Sequence, residues 1–140
     1  MSDESSPERP EPYTDALRAI TPDLLIAIWQ STIDEGSGHF SREVKYPTVL
    51  AKISNYLQNE ALRVPPWEAC GTVLFRFVDE QPFGDCNHRT GWFLVQALMA
   101  RAGYRLVRSE DHIVDFLRGM VNRAVTREQA IAWVRESFAR

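Results

Sequence analysis

Trp92-Phe93-Leu94-Val95-Gln96-Ala97-Leu98-Met99-Ala100 is apolar on nearly every side of a helix. A helix of that kind has to be surrounded by other elements, which places this one at the centre of an all-α fold, ending at Gly103. Upstream, residues 67–79 put Cys70, Val73, Leu74, Phe77 and Val78 on one stripe, after a Pro65-Pro66 pair that no helix already under way can cross. An earlier helix starts near Pro47 and carries Val49, Leu50, Ile53 and Leu57. The first core helix opens at Thr21-Pro22-Asp23, a cap followed by proline and an acidic residue, and runs to about residue 34. Downstream, one helix begins near Ser109 with Ile113, Phe116, Leu117, Met120 and Val121. A last one begins at Thr126, where Gln129 completes a capping box. Strand-like alternation is short everywhere, so the expectation is a single-domain helical bundle of about six helices over residues 13–140. Residues 1–12 hold three prolines and almost nothing apolar, and are expected to be a disordered tail.

With 140 residues and 44% hydrophobic content the chain can close one core and has no room for a second. A net charge of -3 without a Lys/Arg cluster argues against a nucleic-acid partner. Cys70 and Cys86 lack metal-ligand spacing and form no disulfide framework, so a reducing cytoplasm is expected. No membrane partner is expected, because no apolar run approaches the roughly 18 residues of a span and the acidic start has no signal-peptide core.

The segment before the central helix, Glu80-Gln81-Pro82-Phe83-Gly84-Asp85-Cys86-Asn87-His88-Arg89-Thr90, is where chemistry concentrates. Asn87 and Arg89 stand where a helix begins, so free backbone N–H groups, the positive end of the helix dipole and a guanidinium converge. Phosphate suits such a place. Asp85 adds a hard oxygen of the type that holds Mg²⁺ beside a polyphosphate. The same residues also read as an ordinary polar loop with an Asn cap and a solvated Arg.

The segment resembles the Fic/Doc signature, His-x-Phe-x-Asp-Gly/Ala-Asn-Gly/Lys-Arg, with Phe83, Asp85, Asn87 and Arg89 in register and Gln81, Cys86 and His88 departing from it. Thr90 after Arg89, and Trp92 where many Fic proteins have a second arginine, make it more similar to the Doc branch. The resemblance implies a helical domain that takes ATP with Mg²⁺ and transfers AMP or phosphate to the hydroxyl of a protein target. A toxin–antitoxin role with an antitoxin partner is implied by the Doc likeness. By the same likeness Phe83, which reads equally as plain core, would anchor the loop, Asp85 would ligate Mg²⁺, and Asn87 and Arg89 would contact phosphate oxygens. His88 stands where the family has glycine or lysine; it would lean on a phosphate when protonated, and it also reads as an ordinary surface histidine of a first helical turn. Residues 36–45, polar and glycine-containing, would form a mobile flap that aligns the target segment.

Gln81 takes the place of the family's catalytic histidine, and an amide cannot accept the hydroxyl proton as a base. Two expectations follow: a weak or diverged transferase, or a pseudoenzyme that binds a nucleotide or protein. A purely structural adaptor leaves the grouping of Asp85, Asn87 and Arg89 unexplained. Ser31-Thr32-Ile33-Asp34-Glu35-Gly36 also fits the loose Ser/Thr-x-x-x-Glu-Gly pattern of the family's inhibitory helix, and is read as a coincidence because it belongs to the first core helix.

Overall fold

The computed structural model describes residues 9–35 and 38–140. Among them are seven α-helices: α1 (Glu11–Ala19), α2 (Pro22–Glu35), α3 (Pro47–Gln58), α4 (Pro66–Glu80), α5 (Asn87–Arg101), α6 (Glu110–Val121) and α7 (Arg127–Ser137). A 3₁₀ turn at Glu60–Arg63 joins α3 to α4. The short strands β1 (Arg105–Leu106) and β2 (Phe138–Ala139) pair antiparallel, Arg105 opposite Ala139. The helical bundle expected from the periodicity is therefore the fold, with one helix more. No described helix is long and apolar enough to cross a membrane.

The additional helix is α1. Its prolines do not prevent it, since Pro10 lies at the N-cap and Pro12 in the first turn, where the backbone N–H has no helical partner to lose. Tyr13 and Leu17, one turn apart, are fully buried and fasten α1 to the core. Glu11 and Pro12 thus belong to a helix and not to the expected tail, while the first eight residues of that tail lie outside the described residues.

The centre of the fold is α4 and not α5. From Ala69 to Leu74 every α4 residue is buried, and the helix packs against α5, α7, α6 and α3. Glycine lets this happen: a Cβ on Gly71 would stand 2.5 Å from the Cα of Ile131, so α7 crosses α4 backbone against backbone. By contrast α5 turns one side outward, with Phe93 50% exposed and Gln96 and Ala100 also in solvent. An apolar outer side on α5 does not require enclosure, because it forms one wall of an open groove.

Ends are set by local chemistry. Past the end of α5, Gly103 has φ +89°, while Tyr104 N–H donates to the Met99 carbonyl and Gly103 N–H to that of Ala100, each at 3.0 Å. Ser109 caps α6 by accepting from His112 N–H, and both hydrogen bonds of the Thr126/Gln129 capping box form at α7.

Candidate phosphate site

The motif loop, residues 81–86, leaves α4 through Gln81, whose left-handed backbone (φ 46°) breaks the helix before Pro82. Phe83 then turns inward. It is 1% exposed and stacks on Trp29 with ring centroids 4.3 Å apart and planes 3° from parallel; Phe77 flanks it at 6.3 Å. Burying this ring contributes about 2–3 kcal/mol, so its reading as the loop anchor fits its position. The same Trp29 donates its indole Nε1–H to the carbonyl of Asp85 at 2.9 Å, fixing the far side of the loop. Cys86, also left-handed at φ 61°, stands at the N-cap of α5, and its carbonyl accepts from Thr90 N–H (3.0 Å) and Thr90 Oγ1 (2.8 Å). Burial pushes the Cys86 thiol up, which agrees with a tolerated small side chain and not a reactive thiolate.

Asn87, expected to contact phosphate, also serves the loop itself. Its Oδ1 accepts from Phe83 N–H and its Nδ2 donates to the Phe83 carbonyl, both at 3.0 Å. One amide hydrogen remains for any ligand. The side chain therefore braces the loop, and the reason is geometric: the first turn of α5 brings residue 87 back over residue 83.

Residues 38–46 lie across this loop as a strap. Lys45 N–H (2.8 Å) and Tyr46 N–H (3.0 Å) donate to the Pro82 carbonyl, and Gly84 N–H donates to the Glu43 carbonyl (2.8 Å), which makes an antiparallel bridge between Val44 and Phe83. Ser41 N–H donates to Asp85 Oδ2 at 3.0 Å. The expected flap is thus joined to the motif loop over 41–46 by hydrogen bonds of its backbone, while Gly36 and Ser37 lie outside the described residues.

Arg89 is exposed, and its guanidinium faces the Phe40 ring 5.4 Å away. Asp85 is half-buried and has already given one oxygen to Ser41. The described residues hold no cluster of three His, Cys, Asp or Glu that could bind a metal. A hard cation would then be held by Asp85 together with oxygens of a bound phosphate, a donor set that suits Mg²⁺. His88 is half-buried, and burial first, then the neighbouring Arg89 charge, lowers its pKa. Both effects disfavour the protonated ring on which the expected phosphate contact depends. Gln81 is exposed at the loop entrance. The nearest carboxylates in sequence are engaged elsewhere, Glu80 with Arg76 at 2.8 Å and Asp79 with Arg123 at 3.1 Å.

A groove of about 910 Å³ opens beside the loop, between the end of α2, the outer side of α5 and α6. His88, Arg89 and Phe93 line one wall, Arg108 and Arg118 another, and Glu35 the α2 end. Gln81, Asp85 and Asn87 do not line it, so His88 and Arg89 are the motif residues that face the groove. The sequence carried a signal for this groove: the outer apolar residues of 92–100, Phe93 above all, read as core although no neighbour covers them. Glu35, the acid of the Ser31–Gly36 match, faces the same groove as Arg89.

No protein-family model matches the chain, and no curated protein does either. The likeness to Fic/Doc proteins therefore rests on the motif residues quoted above.

Proposed function

We propose that the chain binds a nucleoside polyphosphate, ATP or a close analogue, with Mg²⁺ at the start of α5, and transfers AMP or phosphate from it weakly to a protein hydroxyl. The observation that supports this most is the rigid loop itself. Two aromatic anchors, the Trp29–Asp85 hydrogen bond and the Asn87 brace fix the backbone, yet among the described residues leave Arg89 without an ion pair and Asp85 with a free oxygen at one helix start. Holding charges in place before the ligand arrives is what phosphate binding and electrostatic catalysis require.

In this reading Arg89 neutralises phosphate oxygens and Asp85 holds the cation. Mg²⁺, when bound, supplies charge neutralisation and orients the phosphates. Gln81 presents an amide oxygen that can accept a hydrogen bond from the target hydroxyl and orient it, but cannot take the proton. General-base catalysis is worth about 10²–10⁴ in rate, so transfer is slow and limited by proton removal. The Doc-like run Asn87-His88-Arg89-Thr90 fits a toxin restrained by an antitoxin, and the two free, buried cysteines fit a cytoplasmic protein.

A second reading, a pseudoenzyme that only binds nucleotide or protein, is favoured by the part-buried ion pair that turns Glu80, the carboxylate next to Gln81, towards Arg76. Calorimetry with Mg-ATP tests the common part: Arg89→Ala should weaken binding by at least about 1.5 kcal/mol, the low end for hydrogen bonds to charged groups. Equal affinity in both proteins removes the phosphate assignment. Transfer of label from ATP to protein then separates the two readings.

A further inference from the structure

We infer that residues 38–46 are an autoinhibitory strap, seated on the charged groups the ligand needs, so that filling the site and closing the strap compete. The inference rests on the phosphate reading of Asp85 and Arg89 and adds its regulation.

Two adjacent strap residues use site residues. Ser41 N–H donates to Asp85 Oδ2, and the Arg89 guanidinium stands over the Phe40 ring, 5.4 Å from its centre. A cation that takes both oxygens of Asp85 displaces the Ser41 N–H, and a phosphate that approaches Arg89 from the strap side displaces the Phe40 ring. The seat is also easily left. None of residues 38–46 is buried, and only Phe40 and Val44 are even half-buried, so the strap is held by hydrogen bonds and not by apolar area. Segments with few buried apolar contacts open at far lower free energy than the fold as a whole. Arg42 adds an exposed pair with Asp34 at 2.9 Å, of the kind that contributes little. A ligand that binds only the open form has its apparent affinity reduced by the open fraction, which makes strap closure a direct brake on loading.

One residue lets the strap sit so low. A Cβ on Gly84 would stand 2.2 Å from Ser41 Oγ and 2.8 Å from Ser41 Cβ. Rotating the hydroxyl relieves the first contact, but the second is fixed to the strap backbone. Gly84→Ala is therefore a wedge that lifts the strap at Ser41 without altering Asp85 or Arg89, and the φ of Gly84 lies outside the positive range that alanine avoids. Removing the Ser41 side chain takes both close atoms away, leaving the Glu43 carbonyl at an ordinary 3.4 Å.

The test compares the parent, Gly84→Ala, Ser41→Gly and the double variant, with Phe40→Ala as an opening made without a wedge. Amide exchange at Ser41, Lys45 and Tyr46 reports the strap, and calorimetry with Mg-ATP reports the site. Gly84→Ala should lose protection at these amides and bind Mg-ATP about tenfold tighter, as for a strap open about a tenth of the time in the parent. The double variant should return both readings to those of Ser41→Gly alone, and Phe40→Ala should also tighten binding. Lost protection with affinity changed by less than about twofold overturns the inference. So does protection that the wedge leaves intact. Should Mg-ATP bind none of the variants, the phosphate reading fails by itself, and the strap is judged by carbodiimide labelling of Asp85: faster labelling in Gly84→Ala upholds the closure, an unchanged rate overturns it.

Discussion

Asn87 reaches back four residues and closes two side-chain hydrogen bonds on Phe83, accepting from its N–H and donating to its carbonyl, each at 3.0 Å. The amide thereby replaces a strand partner for the most buried residue of the motif loop, whose backbone would otherwise be unpaired on that side. Asn87→Ala should cost about 2 kcal/mol, two modest hydrogen bonds plus the penalty of part-buried groups left unsatisfied. Asn87→Asp keeps the acceptor and loses the donor, and should fall between the two. Urea unfolding of the three proteins checks the order; an alanine variant as stable as the parent would remove the bracing role.

Gly71 tests which helix is central. In an exposed helix, Gly→Ala stabilises by up to about 1 kcal/mol. Here the added methyl would meet the Cα of Ile131 at 2.5 Å and its N at 2.8 Å, backbone atoms that cannot rotate away. Gly71→Ala should instead destabilise by about 1–3 kcal/mol through overpacking between α4 and α7. Thermal unfolding shows the sign directly.

How much the sequence revealed depends on which atoms hold each feature. Side-chain periodicity exposed α2 to α7, and the Thr126/Gln129 pair disclosed its own cap, because both are written in residue types. Hydropathy placed α5 at the centre wrongly, since it cannot distinguish a surrounded helix from one whose outer side, at Phe93, walls a groove. The prolines hid α1, although proline in a first turn is compatible with a helix. At the site, Phe83 was legible as an anchor. The second use of Asn87 and the strap were not: the brace depends on how the loop folds back, and the strap is held chiefly by backbone N–H and C=O groups, which every sequence has.

His88 gives the fold a pH dependence with a definite sign. Burial and the Arg89 charge lower its pKa in the folded chain, so the unfolded chain binds the proton more tightly. Its contribution to stability is fully present above the unfolded value of ~6.5 and is lost as pH falls from there through the folded value. His88→Gln should remove this loss: the difference in unfolding free energy between parent and variant, constant above neutrality, should shift in favour of the variant towards pH 5. A difference that stays flat over pH 5–8 would show that the imidazole is not held neutral.

The remaining prediction concerns the position where a base is missing. Gln81 is exposed and adopts φ 46°, a conformation in which histidine is several-fold enriched over most residues, so Gln81→His should leave stability nearly unchanged. Gln81→Gly, which removes the strain of the left-handed backbone altogether, should raise stability by up to about 1–2 kcal/mol and serves as a reference for the fold. Only the histidine variant supplies a proton acceptor. At pH 7.5 an exposed imidazole with a pKa near ~6.5 is mostly neutral and can receive the hydroxyl proton while Arg89 and Asp85 hold the phosphates and the cation. Transfer of label from ATP to lysate proteins should therefore rise on the order of 10²-fold or more in Gln81→His, and vanish again in Gln81→His/Arg89→Ala. Gln81→Gly should not label above the parent. Equal labelling by parent and histidine variant would mean that some other group already removes the proton, with His88, neutral and one residue from Arg89, the first to replace. Binding of Mg-ATP by both variants without labelling by either, over a panel of lysates, would decide for the pseudoenzyme.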